Sequence, residues 1–146
     1  MNESLVMTIL LVHAGSTCAM MGLIWFIQIV HYPLMARVGA QDYALYQHAH
    51  MSRTTFVVAP LMLIEMATAI LLLWLLGPDS YLLTIAGLVM LVLIWISTAA
   101  LQVPAHKGLT QGFAQRAHRR LVATNWVRTI LWSLRAILAC VLIVMN

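Results

Sequence analysis

LQVPAHKGLTQGFAQRAHRRLVATNWVRTILWSLR, residues 101–135, joins the end of one apolar run to the start of another through a short basic loop. It holds six of the eight Lys and Arg residues of the chain. Two of these cations, Arg128 and Arg135, lie inside the following apolar run. A cation in a hydrophobic segment is costly, so it usually faces the interior of a bundle and has a partner there. The stretch therefore predicts a helical hairpin whose second helix turns a polar face toward other helices.

The composition indicates a membrane protein. The chain has 146 residues, of which 63% are hydrophobic and 8% charged, whereas soluble domains carry about 25% charged residues. Apolar runs at residues 5–30, 55–76, 81–101 and 121–145 are each long enough to cross a bilayer, which needs about 20 residues. The connections are too short to fold separately. We therefore expect an all-α fold: one integral membrane four-helix domain, residues 1–146, with helices over about 4–33, 42–76, 81–103 and 115–145.

The positive charges predict the orientation of this bundle. The first and third connections and their flanks carry Arg37, Arg53, Lys107, Arg116, Arg119 and Arg120, while the second connection and both ends of the chain carry no Lys or Arg. By the positive-inside rule the first and third connections are cytoplasmic and both termini lie outside. Most of the cations behind the net charge of +4 thus lie at the ends of the membrane helices. This placement indicates a lipid bilayer as partner, and not nucleic acid.

We expect the first predicted helix to be retained and to carry polar residues on one face. No Lys or Arg precedes it and no small-x-small cleavage site follows closely, which argues against a signal peptide. Gln28 lies one turn before His31, and His13 lies five turns before it. Pro33 disfavours helical geometry at the preceding residue, so we expect the helix to end there. His31 is predicted at the cytoplasmic end, as a site residue or an interfacial histidine, and the role of His13 stays open.

The first connection predicts a short amphipathic cytoplasmic helix leading into the second span. Gly39 breaks the chain, and Asp42 is a candidate N-cap. Residues at three- and four-residue steps then share one face: Tyr43, Tyr46, His50 and Arg53. His48 points away from this face. The pattern predicts that this face lies over the cytoplasmic opening of the bundle. The alternative is an amphipathic turn at the membrane interface with no role in a site.

Glu65 is an acidic residue within the second predicted helix. At 1.5 Å per residue it stands about 15 Å along the axis from Thr55, near mid-membrane. A carboxylate at that depth must pair with a cation, bind a metal or stay protonated. We expect either a proton-handling role or a structural ion pair with Arg128 or Arg135.

The last two helices supply further polar residues. Thr98, Gln102 and His106 step by four along the third helix, and Pro104 is expected to place His106 just past its end. On the fourth helix a stripe about 100° wide holds His118, Asn125, Arg128, Trp132 and Arg135. These residues are expected to face the polar residues of the first two helices.

Together these positions predict a polar site in the cytoplasmic half of the bundle. The candidate metal ligands are His31, His50, His106 and His118. The candidate cofactor-binding residues are Gln28, Arg53 and Gln102, and the candidate catalytic residues are Glu65, Asn125 and Arg128. Histidines and a carboxylate on facing helices are typical of iron or copper sites, and opposed histidines with arginines would suit haem b. A polar core that only holds the helices together is the alternative.

The hairpin also carries a resemblance. The pattern V-P-x-x-x-x-L at 103–109, followed by N-x-V-R-T at 125–129, resembles the anthrone-oxygenase-like family of small four-helix membrane proteins. The HYPL segment and Glu65 look like a bacterial branch of that group, although His106 stands where fungal members tend to have Asn. The resemblance implies a multi-pass protein of the bacterial inner membrane that oxidises an activated aromatic C–H with dioxygen.

Two classes of function follow. One is a membrane-bound oxidoreductase or oxygenase for a lipid-soluble aromatic or quinone-like substrate. In it a histidine would act as ligand or base, Asn125 and Arg128 would stabilise an oxyanion, and Glu65 would relay protons. The other is a small proton-coupled carrier, with Glu65 titrating against Arg128. Four helices without an inverted repeat are few for a carrier unless it forms a homo-oligomer. A structural membrane subunit is a third alternative.

Overall fold

A computed structural model describes residues 2–146 as four helices, each long and apolar enough to cross a membrane. Their bounds are α1 Glu3–Met35, α2 Tyr43–Leu75, α3 Pro78–Lys107 and α4 Gln115–Met145. α1 packs along both α2 and α4, and α3 packs on α4, whereas α2 and α3 make the least extensive of these four contacts. The predicted all-α membrane four-helix bundle is confirmed.

The distribution of side chains suits a lipid solvent. Large apolar side chains point outward, among them Phe56, Trp74 and Leu82. In water so much exposed apolar surface would be unusual for a monomer. Polar side chains such as Glu65 and Asn125 are instead fully buried. The helices therefore pair their polar faces with one another and leave their apolar faces to the bilayer.

α2 is one continuous helix from Tyr43, so the predicted short amphipathic helix is not a separate element. Asp42 precedes the first helical residue, but its side chain makes no capping hydrogen bond. At 1.5 Å per residue the helix is about 50 Å long, whereas the hydrocarbon core is about 30 Å thick. Its first turns therefore project beyond the core as a direct continuation of the span.

The predicted end of α1 at Pro33 was wrong. The helix passes through a π-helical segment, Ile27–His31, and then continues as α-helix over Tyr32–Met35. The Tyr32 N–H donates to the carbonyl of Ile27, five residues back. In an α-helix the proline ring would clash with the carbonyl four residues earlier. The wider π turn just before Pro33 relieves this crowding.

α3 also contains a π-helical segment just before a proline. As a result, His106 lies in a different position from the one predicted. A π-helical segment, Thr98–Gln102, comes directly before the turn of α-helix Val103–Lys107. The Val103 N–H donates to the carbonyl of Thr98, again five residues back. Pro104 then occupies the first turn of the following α-helix, where a missing N–H costs little. His106 is therefore part of the helix and faces its neighbours.

The first and third connections, residues 36–42 and 108–114, lie at one end of the bundle, here named the basic end because most Lys and Arg residues flank it. Buried side chains close this end, including Tyr43 and Leu109. Tyr43 packs edge-on against Phe113, with ring centroids 5.2 Å apart. Most of the site residues predicted from the sequence lie just inside this layer.

Candidate functional site

Arg128 is held in place by its own helix. Asn125, one turn earlier, accepts hydrogen bonds through Oδ1 from Arg128 Nε at 3.1 Å and from Nη2 at 2.5 Å. The Asn125 amide nitrogen in turn donates to Gln28 Oε1 at 2.7 Å. This chain of bonds fixes the orientation of the side-chain amides, because the guanidinium can only donate. Asn125 therefore acts as a positioning residue between α1 and the guanidinium.

The π-helical segment of α3 supplies the other partners of Arg128. Nη1 donates to Thr98 Oγ1 and Nη2 to Gln102 Oε1, both at 3.4 Å. The side chain of Arg128 is buried, with 7% of its surface exposed. Among residues 2–146 the single ion pair joins Arg135 to Glu65, so no carboxylate of this part of the chain pairs with Arg128. Its neutral partners leave a buried cation without a counter-charge.

His106 is connected to this cation through two side chains. Gln47 Nε2 donates to His106 Nδ1 and to the His106 carbonyl, both at 3.0 Å. Since Nδ1 accepts, the neutral ring carries its hydrogen on Nε2, which lies 3.1 Å from the Tyr32 hydroxyl oxygen. The Tyr32 hydroxyl donates to Gln102 Oε1 at 3.5 Å. The network therefore runs without a break from α2 through His106 to the guanidinium.

A pair of histidines, His31 and His50, lies beside the network that contains His106. His31 Nε2 and His50 Nδ1 are 3.0 Å apart, and the rings stack with centroids 4.5 Å apart. The hydroxyls of Tyr46 and Thr54 approach the same two nitrogens. The ring of His50 lies 5.1 Å from that of His106. His50 Nε2 has no hydrogen-bond partner among the residues described, which leaves it available to a ligand.

Several of these groups line one cavity of about 260 Å³ within the bundle. Its polar lining comprises Tyr32, His50, Thr54, Thr55, Thr98, Gln102, His106 and Arg128. Its apolar lining includes Met20, Ile24, Val58, Met62, Trp95 and Trp132. The wall residues Thr55 of α2 and Val103 of α3 are exposed. The cavity therefore opens at the seam between α2 and α3, toward the lipid.

The predicted metal ligands do not form one cluster. His31, His50 and His106 come together, but His118 Nε2 donates to the backbone oxygen of Tyr32 at 2.8 Å. Within residues 2–146 no group of three or more His, Cys, Asp or Glu side chains is placed to hold a metal ion. Both ring nitrogens of His106 are engaged, whereas a haem iron takes a free one. The arrangement does not fit a metal or a haem, and those predictions remain without support.

Glu65 belongs to an ion pair and does not line the cavity. Oε1 lies 3.4 Å from Arg135 Nη2, and Oε2 accepts from the indole nitrogen of Trp132 at 3.0 Å. Arg135 Nη1 also donates to the Gly87 carbonyl. Trp132 does line the cavity, and its ring centroid lies 6.0 Å from the guanidinium carbon of Arg128. The ion pair therefore supports the floor of the cavity from behind.

Two further residues singled out in the sequence lie apart from this network. His13 Nδ1 bonds to Thr68 Oγ1 at 2.8 Å, far from the basic end, and links α1 to α2. Arg53 is exposed and lines a separate groove on the outside of α1 and α2. It does not line the central cavity, so it is not among the groups that the fold brings together there.

Gln47 and Tyr32 were missed as members of the site. Gln47 follows Tyr43 by one turn, and both are fully buried. The inward face of α2 is thus rotated from the predicted one toward Gln47, and Arg53 lies outside it. The sequence signal that could have revealed Gln47 is its amide side chain one helical turn after Tyr43. Tyr32 was hidden because the helix was expected to end at Pro33.

No family model, curated protein or solved structure matches the chain. The resemblance to the anthrone-oxygenase-like family therefore stays a prediction. A functional assignment must come from the cavity and the groups around it.

Proposed function

We propose that this chain is a membrane-embedded enzyme that binds a lipid-soluble phenolic or quinone-like substrate as its anion and activates it for oxidation. Arg128 carries the proposal. Its guanidinium lines an apolar cavity and has only neutral partners among the residues described. A buried charge without compensation is strongly unfavourable. An anionic oxygen on a ligand would provide the missing compensation.

The shape of the cavity favours a flat, apolar substrate. Trp95 and Trp132 form part of its wall, and aromatic faces pack well against other rings. The opening between α2 and α3 faces the lipid, so a membrane-dissolved molecule reaches the site without crossing water. Polar groups stand on only part of the lining, which orients an oxygen of the ligand toward Arg128.

His50 is the best-placed base. In the tautomer in which His50 Nδ1–H donates to His31 Nε2, the lone pair of His50 Nε2 is free to take a proton from a phenol or an activated C–H. His31 then stabilises the imidazolium, in the manner of a base held by a third group. Arg128, positioned by Asn125, stabilises the oxyanion that forms. Such an anion is electron-rich, and the family resemblance adds dioxygen as its oxidant.

The carrier alternative receives less support from the arrangement. It required Glu65 to titrate against Arg128, but Glu65 pairs with Arg135 and lies behind the cavity wall. Glu65 therefore supports Trp132 in the proposed enzyme and has no direct contact with substrate.

A coloured weak acid tests the proposal directly. The purified protein in detergent is titrated with a hydroxynaphthoquinone, whose anion absorbs visible light. We expect the spectrum of the anion at a pH where the free compound is mostly neutral. Arg128→Gln should weaken this binding at least about tenfold, the equivalent of about 1.4 kcal/mol. Arg119→Gln removes an exposed arginine of the same helix and is the matched control.

Oxygen uptake then separates binding from chemistry. With an anthrone as substrate, the wild-type protein should consume dioxygen, and His50→Gln should lose this activity while still binding the preformed quinone anion. Equal binding by Arg128→Gln and Arg119→Gln would refute the proposed role of the cavity. Anion binding without oxygen uptake would leave a binding protein and remove the enzymatic part.

A further inference from the structure

A second concave surface lies on the outside of the bundle near the basic end. This surface, named the α1–α2 groove, is lined by Phe26, Ile27, His31, His50, Arg53 and Val57, among others. Phe26 and Val57 are exposed apolar side chains that form its walls. Arg53 and the two histidines stand at its other end, but most of the lining surface is apolar. The groove is therefore an apolar surface with one exposed cation at one end.

Arg53 stands at the level of lipid headgroups. Trp74 is strongly exposed at the opposite end of α2, where an aromatic side chain anchors a helix at the membrane interface. Counting back from Leu75, about 20 residues of helix cross the hydrocarbon core, which puts the other boundary near Thr55. Arg53 lies just beyond it, and Val57 just within it. The polar and apolar parts of the groove thus match the two zones of one leaflet.

Arg53 also has no internal use for its charge. It is exposed, and the only ion pair within residues 2–146 joins Arg135 to Glu65. Other cations flank the same end of the bundle, so the local field is positive. Basic sites between helices at a membrane surface attract anionic lipid headgroups. The charge of the groove is complementary to such a headgroup.

We propose that the α1–α2 groove binds one anionic phospholipid, with its phosphate on Arg53 and an acyl chain along Phe26 and Val57. This site is separate from the proposed substrate cavity and does not depend on the proposed enzymatic activity. The two share a wall, however, because Leu23, Ile27, His50 and Thr54 line both. A lipid in the groove therefore packs against the His31–His50 pair from outside and fixes the position of His50.

Native mass spectrometry of the detergent-purified protein tests this site. Phosphatidylglycerol and phosphatidylcholine are added in turn, and bound lipid per chain is counted. We expect one phosphatidylglycerol to remain bound at concentrations where phosphatidylcholine has dissociated. Arg53→Gln should reduce phosphatidylglycerol retention about tenfold, whereas Arg119→Gln, which removes an equal charge outside the groove, should leave it unchanged.

Val57→Trp examines the apolar half of the site, since it fills the groove and keeps every charge. It should lower retention of phosphatidylglycerol as strongly as Arg53→Gln. Equal losses in Arg53→Gln and Arg119→Gln would show nonspecific attraction to the basic end and overturn the proposal. Normal retention in Val57→Trp, or displacement of the lipid by millimolar inorganic phosphate, would overturn the acyl-chain part. None of these results depends on quinone binding or oxygen uptake.

Discussion

Arg135 and Glu65 face each other across the interior of the bundle, with 3.4 Å between Nη2 and Oε1 and at most 1% of either side chain exposed. Trp132 and the Gly87 carbonyl satisfy further polar atoms of the pair. Hydrogen bonds of this kind are what allow two opposite charges to remain inside a low-dielectric core. The pair links α2, α3 and α4 at one point.

Replacement of one partner should be far more damaging than replacement of both. Glu65→Leu leaves the Arg135 charge buried and unpaired, so we expect a loss of about 3–5 kcal/mol in the free energy of unfolding. The double variant Glu65→Leu/Arg135→Leu should recover most of that loss. Reversible unfolding in mixed detergent micelles measures all three proteins, with the exposed Glu3→Gln as control. Single and double variants of equal stability would show that the pair is not coupled.

An internal carboxylate beside Arg128 should compete with an anionic ligand. Asn125→Asp is nearly isosteric and keeps both acceptor bonds from the guanidinium while supplying the missing negative charge. The new carboxylate oxygen replaces the donor to Gln28 Oε1, so the Gln28 amide must turn over and donate to it, at the cost of its 3.4 Å bond to the Val122 carbonyl. We expect normal folding and at least about a tenfold rise in the Kd for a hydroxynaphthoquinone anion. Asn146→Asp, at the exposed C-terminus, is the matched control. Unchanged affinity in Asn125→Asp would mean that the ligand does not use this cation.

His118 should be a structural residue. Its ring donates to the Tyr32 carbonyl near the end of α1, where carbonyl groups lack helical partners. His118→Leu leaves that carbonyl unsatisfied and should cost about 1–3 kcal/mol of stability, measured by thermal unfolding. The affinity for the quinone anion should not change, whereas His106→Leu, which breaks the link between Gln47 and Tyr32, should lower it.

Metal analysis of the same variants bears on the histidine-ligand prediction. The decisive result would be one equivalent of iron or copper per chain in the wild-type protein and none in either His106→Leu or His118→Leu. Both residues would then be metal ligands, which would contradict the structural role assigned to His118.

The orientation of the bundle is open to a labelling experiment. In a background with Cys18 and Cys140 replaced by Ala, single cysteines are placed at Asp79 and Gln111, both exposed and at opposite ends. A membrane-impermeant maleimide should label Asp79→Cys in intact cells and Gln111→Cys only after permeabilisation. The reverse pattern would place the basic end outside and contradict the positive-inside prediction.

The fourth helix shows what the sequence makes predictable. It is regular over its whole length, so a constant 100° step per residue identifies its inward face. Every member of the predicted stripe is buried: His118, Asn125, Arg128, Trp132 and Arg135. The charges inside apolar runs were sufficient to suggest an ion pair of Glu65 with Arg128 or Arg135, and the structure selects Arg135.

The other three helices show why the rest of the site was not predictable. A helical wheel assumes one constant step, and the π-helical segments Ile27–His31 and Thr98–Gln102 break it. The start of α2 is set by packing of Tyr43 against Phe113 from the third connection, which local spacing does not reveal. Whether histidines converge on a metal or bond to each other also depends on distances of a few ångströms between separate helices.

Each π-helical segment contains one residue more than the α-helical turn it replaces. Loss of a single codon within 98–102 would therefore restore a regular helix and leave Val103–Lys107 facing the same way, because the α-helical turn covers about the same rotation with one residue fewer. The span would still cross the bilayer, but the ring of Pro104 would then crowd the carbonyl four residues earlier. The extra residue thus lets α3 carry a proline beside the cavity while His106 stays within it.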